Sequence, residues 1–156
     1  MANTYKKVQL HIVFAVKNRQ STMDKLWRGK VFAYISGIIK EKGHYPIAVN
    51  GYHDHIHILI EYNLNKLIPE LVREIKKSSS KYIKENKFTQ HHFEWQSGYG
   101  IFSVGWREVA TVIDYIRRQE EHHKKRSFKD EYLSLLNKYQ IEYKDEYVFK
   151  FLQDIV

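Results

Sequence analysis

The side chains whose types and spacing suit chemistry begin at Asp54-His55-Ile56-His57-Ile58-Leu59-Ile60. The stretch reads as a β-strand. By the period of two, Ile56, Ile58 and Ile60 share one face, and His55 and His57 share the other. Two imidazoles so placed lie roughly 6.5–7 Å apart along the strand and can converge on one cation. The same pattern also fits hydrogen-bonded histidines on a half-exposed strand. Asp54 has the opposite parity, which suits a turn or hydrogen-bonding role better than ligation. Far downstream, Asp114-Tyr115-Ile116-Arg117-Arg118-Gln119-Glu120 sets Tyr115 and Gln119 four residues apart, on one face of a helix. A Gln carbonyl is a hard oxygen ligand suited to Mg²⁺ or Mn²⁺. A Tyr phenol is a nucleophile toward phosphorus when a nearby cation polarises the phosphate. Taken alone, that pair also fits an ordinary amphipathic helix.

Composition limits what these groups can act on. A chain of 156 residues, 43% hydrophobic, is one domain with a core of its own. There is no cysteine, so disulfides, thiolate metal sites and cysteine nucleophiles are excluded, and any metal is held by nitrogen and oxygen. A formal net charge of +8 favours a polyanionic partner, nucleic acid before membrane. Aromatic residues make up 15% of the chain, and base stacking uses such rings. No run approaches the roughly 18 apolar residues of a membrane span. The start, Met1 to Lys7, lacks the apolar region of a signal peptide, so the cytoplasm is the expected location.

The elements that must position these residues follow from periodicity. Residues 5–16 alternate, with Val8, Leu10, Ile12, Phe14 and Val16 on one face and Lys7, Gln9 and His11 on the other, which predicts a half-buried first strand. Asp24 to about Lys42 reads as a helix ended by Gly43. Residues 45–51 and 54–61 read as strands joined by a hairpin. A second helix starts near Pro69. Its Ser78-Ser79-Ser80, set among lysines, suits phosphate contact, although those lysines also fit a solvated face. Residues 93–104 read as a strand interrupted at Ser97-Gly98-Tyr99-Gly100. One long helix is expected from Trp106 to about Lys125. Ser127-Phe128-Lys129-Asp130 reads as a capping box opening another helix. The tail 147–156 is apolar enough to pack.

The order β-α-β-β-α-β predicts an α/β (α+β) fold of the ferredoxin-like, split βαβ kind. It has an antiparallel sheet with helices on one face, plus a C-terminal tyrosine-bearing helix and an appended helix. The core spans about 5–126 and the helical extension about 127–156. The first and third strands are then the central pair, which brings His11 beside His55 and His57. Candidate backbone contacts for a nucleic acid are Lys17, Arg19, Arg73, Lys76 and Lys77.

Taken together, these stretches resemble the HUH superfamily of single-strand nucleases, and within it the single-tyrosine transposases of insertion sequences and their REP-associated relatives. Asp54-His55-Ile56-His57 and Tyr115-Ile-Arg-Arg-Gln119 carry the resemblance. Lys76-Lys77-Ser78-Ser79-Ser80, Phe93-Glu-Trp95-Gln96-Ser-Gly98-Tyr99-Gly100-Ile-Phe102-Ser103-Val104 and Lys17-Asn-Arg19 agree with it. The resemblance covers roughly residues 5–130. It implies that His55, His57 and Gln119 bind Mg²⁺ or Mn²⁺, and that Tyr115 attacks a phosphate of single-stranded DNA, leaving a 5′-phosphotyrosine link and a free 3′-OH. It also implies recognition of DNA hairpins by a homodimer whose composite active sites take the tyrosine from the partner. His53 either adds a ligand or occupies the turn. His91-His92 and His122-His123 are expected at the surface or facing phosphate, and Glu120 and Glu121 away from the Tyr115 face. Two other functions fit the composition. One is a ferredoxin-like nucleic-acid-binding module without catalysis. The other is a metal-dependent hydrolase that uses water.

Overall fold

The computed structural model describes residues 3–17 and 22–144. Within them a four-stranded sheet has the order β2-β3-β1-β4, formed by β1 (Gln9–Ala15), β2 (Tyr45–Gly51), β3 (His55–Glu61) and β4 (Gly100–Val104). Every neighbouring pair is antiparallel. Helix α1 (Lys25–Glu41) links β1 to β2, and α2 (Ile68–Glu85) links β3 to β4. This is the expected ferredoxin-like order, with β1 and β3 at the centre. Arg19 and the tail 147–156 lie outside the described residues.

The apolar parity of the strands decides which layer each face meets. Ile12, Phe14 and Val16 join Ile56, Ile58 and Ile60 against α1 and α2. Asp24 starts α1 by accepting a hydrogen bond from the Leu26 N–H at 2.8 Å. Gly43 follows α1 at φ +89°, a left-handed conformation that glycine adopts without penalty.

The opposite face is covered too. Val13, Ala15 and Phe102 pack on Phe128 and Leu136 of α5 (Phe128–Lys138). Leu59 and Val104 pack on Ile116 of α3 (Val109–Arg117). The first strand is therefore buried on both faces, not half-buried: even His11 is 3% exposed. Its Gln9 and His11 read as solvated because the helices packed on that side of the sheet come roughly a hundred residues later, while Lys7, before the strand, is exposed.

Two predicted elements are shorter than expected. Residues 93–99 contribute only an isolated bridge, Val16 to Trp95, because Gly98 at φ +85° turns the chain before β4. The single helix from Trp106 is three pieces: a 3₁₀ turn (Trp106–Glu108), α3 and α4 (Gln119–His123). The break is at Arg118, with φ −94° and ψ 21°. Gln119 follows the break and is fully buried, and its Nε2 donates to the Tyr115 carbonyl at 3.3 Å.

Candidate active site

The strand pairing aims the histidines. His57 lies opposite Val13, His55 opposite Ala15 and His11 opposite Leu59, so all three project from one face of the central pair. Gly51 closes the β2–β3 hairpin against them. A Cβ there would sit 2.2 Å from the His55 carbonyl oxygen, so only glycine lets β2 come this close to the His55 backbone. Across the site, Asn50 donates to the carbonyls of Ile116 at 2.9 Å and Arg117 at 3.3 Å, pinning the C-terminal end of α3, the helix that carries Tyr115.

Both imidazoles are held from behind and present Nε2 to the same place. His55 Nδ1 donates to Asp54 Oδ1 at 2.7 Å, and His57 Nδ1 meets His11 Nε2 at 2.8 Å. Asp54 thus orients the His55 ring, the hydrogen-bonding role that its strand parity indicates. In front, His55 Nε2 is 2.9 Å from Gln119 Oε1 and 3.4 Å from Glu131 Oε1. His57 Nε2 is 2.8 Å from the same Glu131 oxygen. Because Asp54 takes the Nδ1 proton, the Nε2 of a neutral His55 is an electron-pair donor facing two oxygens that are also electron-pair donors. Such a convergence calls for a cation among them. The ligand atoms of His55, His57 and Glu131 lie within 4.8 Å of one another. Imidazole nitrogen with carboxylate and amide oxygen is a donor set that fits a divalent metal.

Glu131 divides its carboxylate between two tasks. Oε1 faces the imidazoles. Oε2 accepts the Tyr115 hydroxyl in a short hydrogen bond and lies 3.4 Å from Gln119 Nε2. The Tyr115 ring stands edge-on to His57, with centroids 5.7 Å apart. The nucleophile candidate and the histidines therefore meet within one chain.

Burial sets the electrostatics. His11 is pushed down to about 3, by burial first and then by the His57 and Lys138 charges, against Glu131. Burial also lowers His57. For Glu131 burial works upward, but His57, His123 and His55 prevail and hold its carboxyl well below the usual range. Burial, and then the Glu131 charge, raises the Tyr115 phenol, which therefore stays protonated until something draws the proton off.

The structure thus gathers His55, His57, Tyr115 and Gln119, as the spacing predicts, and adds two residues that the sequence reading left out. Glu131 is one. His123 is the other, and it corrects the expectation of a surface group: its Nε2 lies 3.0 Å from Gln119 Oε1 and 3.3 Å from Glu131 Oε1, and its ring is 4.4 Å from His55. A signal for each was present. His123 continues the Tyr115–Gln119 spacing by another four residues. Glu131 interrupts the apolar stripe of Phe128 and Leu135 at helical spacing. His53 occupies the turn, where its carbonyl accepts from the Met23 N–H at 2.7 Å. His91 and His92 are exposed, and Glu120 turns away to pair with Lys25 at 2.7 Å.

The basic candidates lie elsewhere. Arg73, Lys76 and Lys77 sit on α2, across the sheet from the histidines, and Lys17 pairs with Glu94 at 3.4 Å. Lys76 donates to the carbonyls of Gln96 at 2.8 Å and Gly98 at 2.7 Å and lies over the Phe14 ring, and burial lowers it to about 8. Buried Ser79 accepts from Trp95 Nε1 at 2.9 Å. The Lys-Lys-Ser-Ser-Ser and Trp-Gln-Ser-Gly motifs therefore bind each other.

Residues 4–119 match the family described as transposase IS200 like. The chain belongs to that family. Two solved structures share the fold of this IS200-like transposase. One is a candidate transposase from Deinococcus radiodurans R1, with TM-score 0.60 and 19% identity, covering 76% of this chain and 95% of that one. The other is a REP-associated tyrosine transposase bound to a REP hairpin, with TM-score 0.59 and 16% identity, covering 79% and 73%. No curated protein matches the sequence. The family match stops at Gln119, so His123 and Glu131 fall beyond it.

Proposed function

We propose that this IS200-like transposase cleaves and rejoins single-stranded DNA at hairpin-flanked element ends through a covalent 5′-phosphotyrosine link on Tyr115. The observation that carries the reading is the meeting of the Tyr115 hydroxyl, the His55 and His57 Nε2 atoms and Gln119 Oε1 around the Glu131 carboxylate. His55, His57, Gln119 and Glu131 would hold Mg²⁺ or Mn²⁺, which supplies Lewis-acid polarisation of the scissile phosphate when bound.

The side chains do the rest. Asp54 and His11 hold the two imidazoles in one tautomer and orientation. Glu131 Oε2 holds and orients the Tyr115 hydroxyl, whose proton is released to solvent as the Tyr115 Oη–P bond forms. The P–O3′ bond breaks, and the 3′ oxygen leaves and is protonated. Attack by another strand's 3′-OH reverses these steps and restores Tyr115. The phosphotyrosine bond keeps the energy of the phosphodiester, so no nucleotide cofactor is required.

A relative of the same fold binds a REP hairpin, which supports a hairpin partner for this chain. Lys17, Arg19, Arg73 and Lys77 are proposed backbone contacts for that hairpin, and Lys76, bonded to the Gln96 and Gly98 carbonyls, would contact it only by giving those bonds up. A homodimer acting in the cytoplasm completes the proposal. Tyr115 stands beside its own chain's His57, and in the proposed homodimer the tyrosine helix would serve the partner's histidines instead. No helix among the described residues is long and apolar enough to cross a membrane.

The test is incubation with a fluorescent single-stranded hairpin flanked by candidate element ends and Mn²⁺ or Mg²⁺, read on a denaturing gel. A covalent species that disappears in Tyr115→Phe, while binding persists, is the expected result. Adducts that survive in the Phe variant remove Tyr115 as nucleophile. Binding without any covalent species favours a module that only binds.

A further inference from the structure

Of the hairpin contacts proposed above, Arg73, Lys76 and Lys77 lie on α2, across the sheet from Tyr115, so they leave open how the cleaved strand reaches the nucleophile. One cavity leads there. A cleft of about 230 Å³ runs between α3 and α5, and His11, Tyr115 and Glu131 line it. At its rim stand Arg126, Ser134 and Lys138. Glu131, Ser134 and Lys138 recur at helical spacing, so one face of α5 faces the cleft from end to end.

The rim is charged and braced. Arg126 Nη2 donates to the Asp130 carbonyl at 3.1 Å and, in a short bond, to the Ser134 hydroxyl. The Arg126 carbonyl accepts from His123 Nδ1 at 2.8 Å, which ties the rim to the metal-site residues. A guanidinium has five N–H donors, and the two bonds named use Nη2 alone. The Arg126 charge reaches Tyr115 and the Lys138 charge reaches His11. Two exposed cations at the mouth outweigh the one carboxylate at the floor. The walls between them include Val112 and Leu135, which suit a sugar or a base face.

The geometry points to a subsite for one nucleotide of the single strand in this cleft, with Arg126 and Lys138 binding the phosphates that flank the scissile one. The inference rests on the strand-transfer reading and adds to it the path to Tyr115. A cleft of about 230 Å³ is on the scale of one sugar-phosphate unit, not of a duplex. It thereby supplies a physical reason for acting on single strands only. Arginine and lysine are the usual partners of phosphate oxygens.

The test compares two oligonucleotides in EDTA, so that no strand is cut: a hairpin with an unstructured thymidine extension, and the same hairpin blunt-ended. Binding to the full-length protein is followed by fluorescence anisotropy over a range of salt. For the extended hairpin, Lys138→Gln and Arg126→Gln should each weaken binding about tenfold at low salt and reduce the salt slope by about 0.7, the value of one lost single-strand phosphate contact. The blunt hairpin should bind as before. Arg126 also braces α5, so Lys138→Gln with an unchanged melting temperature is the decisive variant. Unchanged affinity and slope for the extended hairpin, or equal loss for both oligonucleotides, overturns the subsite while leaving strand transfer intact. A wild-type protein that binds neither oligonucleotide overturns both.

Discussion

Glu131 is the residue on which the site turns. A buried carboxylate survives only if its oxygens are bonded, and here His57 and Tyr115 share the task with Gln119 and His123 near by. Glu131→Gln keeps the shape and removes the charge. It should lower Mn²⁺ affinity at least about tenfold, the lower end of what even an indirect partner of a metal costs, and isothermal titration measures this directly. Affinity equal to wild type would place Glu131 outside the ligand set. At this scale the sequence is legible where periodicity does the aiming: strand parity pairs His55 with His57, and one helical turn pairs Tyr115 with Gln119. Glu131 is hidden because Lys129-Asp130-Glu131 looks like the acidic first turn that helices favour for their dipole. His123 is hidden because the polar run from Glu120 to Lys125 around it reads as a solvated surface, although it stands four residues beyond Gln119 and its ring lies 4.4 Å from His55.

The element that delivers Glu131 is α5, a helix of 11 residues. Isolated helices of that length are marginal in water, so α5 depends on its cap and its packing. Ser127 is the cap, accepting from the Asp130 N–H at 3.2 Å, and the capping box is among the features readable from sequence. Phe128 and Leu136 dock α5 on Val13, Ala15 and Phe102. Ser127→Ala should therefore cost about 1 kcal/mol and lower the melting temperature by about 2–4 °C, read by thermal denaturation. No loss would mean that packing alone fixes the helix start. The strand order is legible because each strand carries its own alternation and the hairpin between β2 and β3 is short. The second helical layer is not, because nothing local to β1 announces that α3 and α5 return to cover it.

For the whole molecule, burying several histidines makes stability depend on pH. His11 and His57 both have folded values below the ordinary 6.5, so the unfolded chain binds protons that the fold refuses. A depressed value contributes stability that is present above 6.5 and is lost as pH falls toward the folded value, about 3 for His11. Asp54 and Glu131 act in the same direction at lower pH, below their ordinary values of 3.8 and 4.5. In EDTA the urea midpoint should thus be lower at pH 5 than at pH 7.5, with each refused proton contributing up to about 1.4 kcal/mol per pH unit. His11→Asn removes one of these protons and should shrink the difference between the two pH values, whatever it does to stability at either one. A midpoint that is flat or higher at pH 5 would mean that the imidazoles are charged in the fold and paired with Glu131 as cations. A bound divalent ion requires the imidazoles neutral, so adding Mn²⁺ should raise the midpoint more at pH 7.5 than at pH 5. The acid sensitivity of the fold and the metal affinity of the site then come from the same buried side chains.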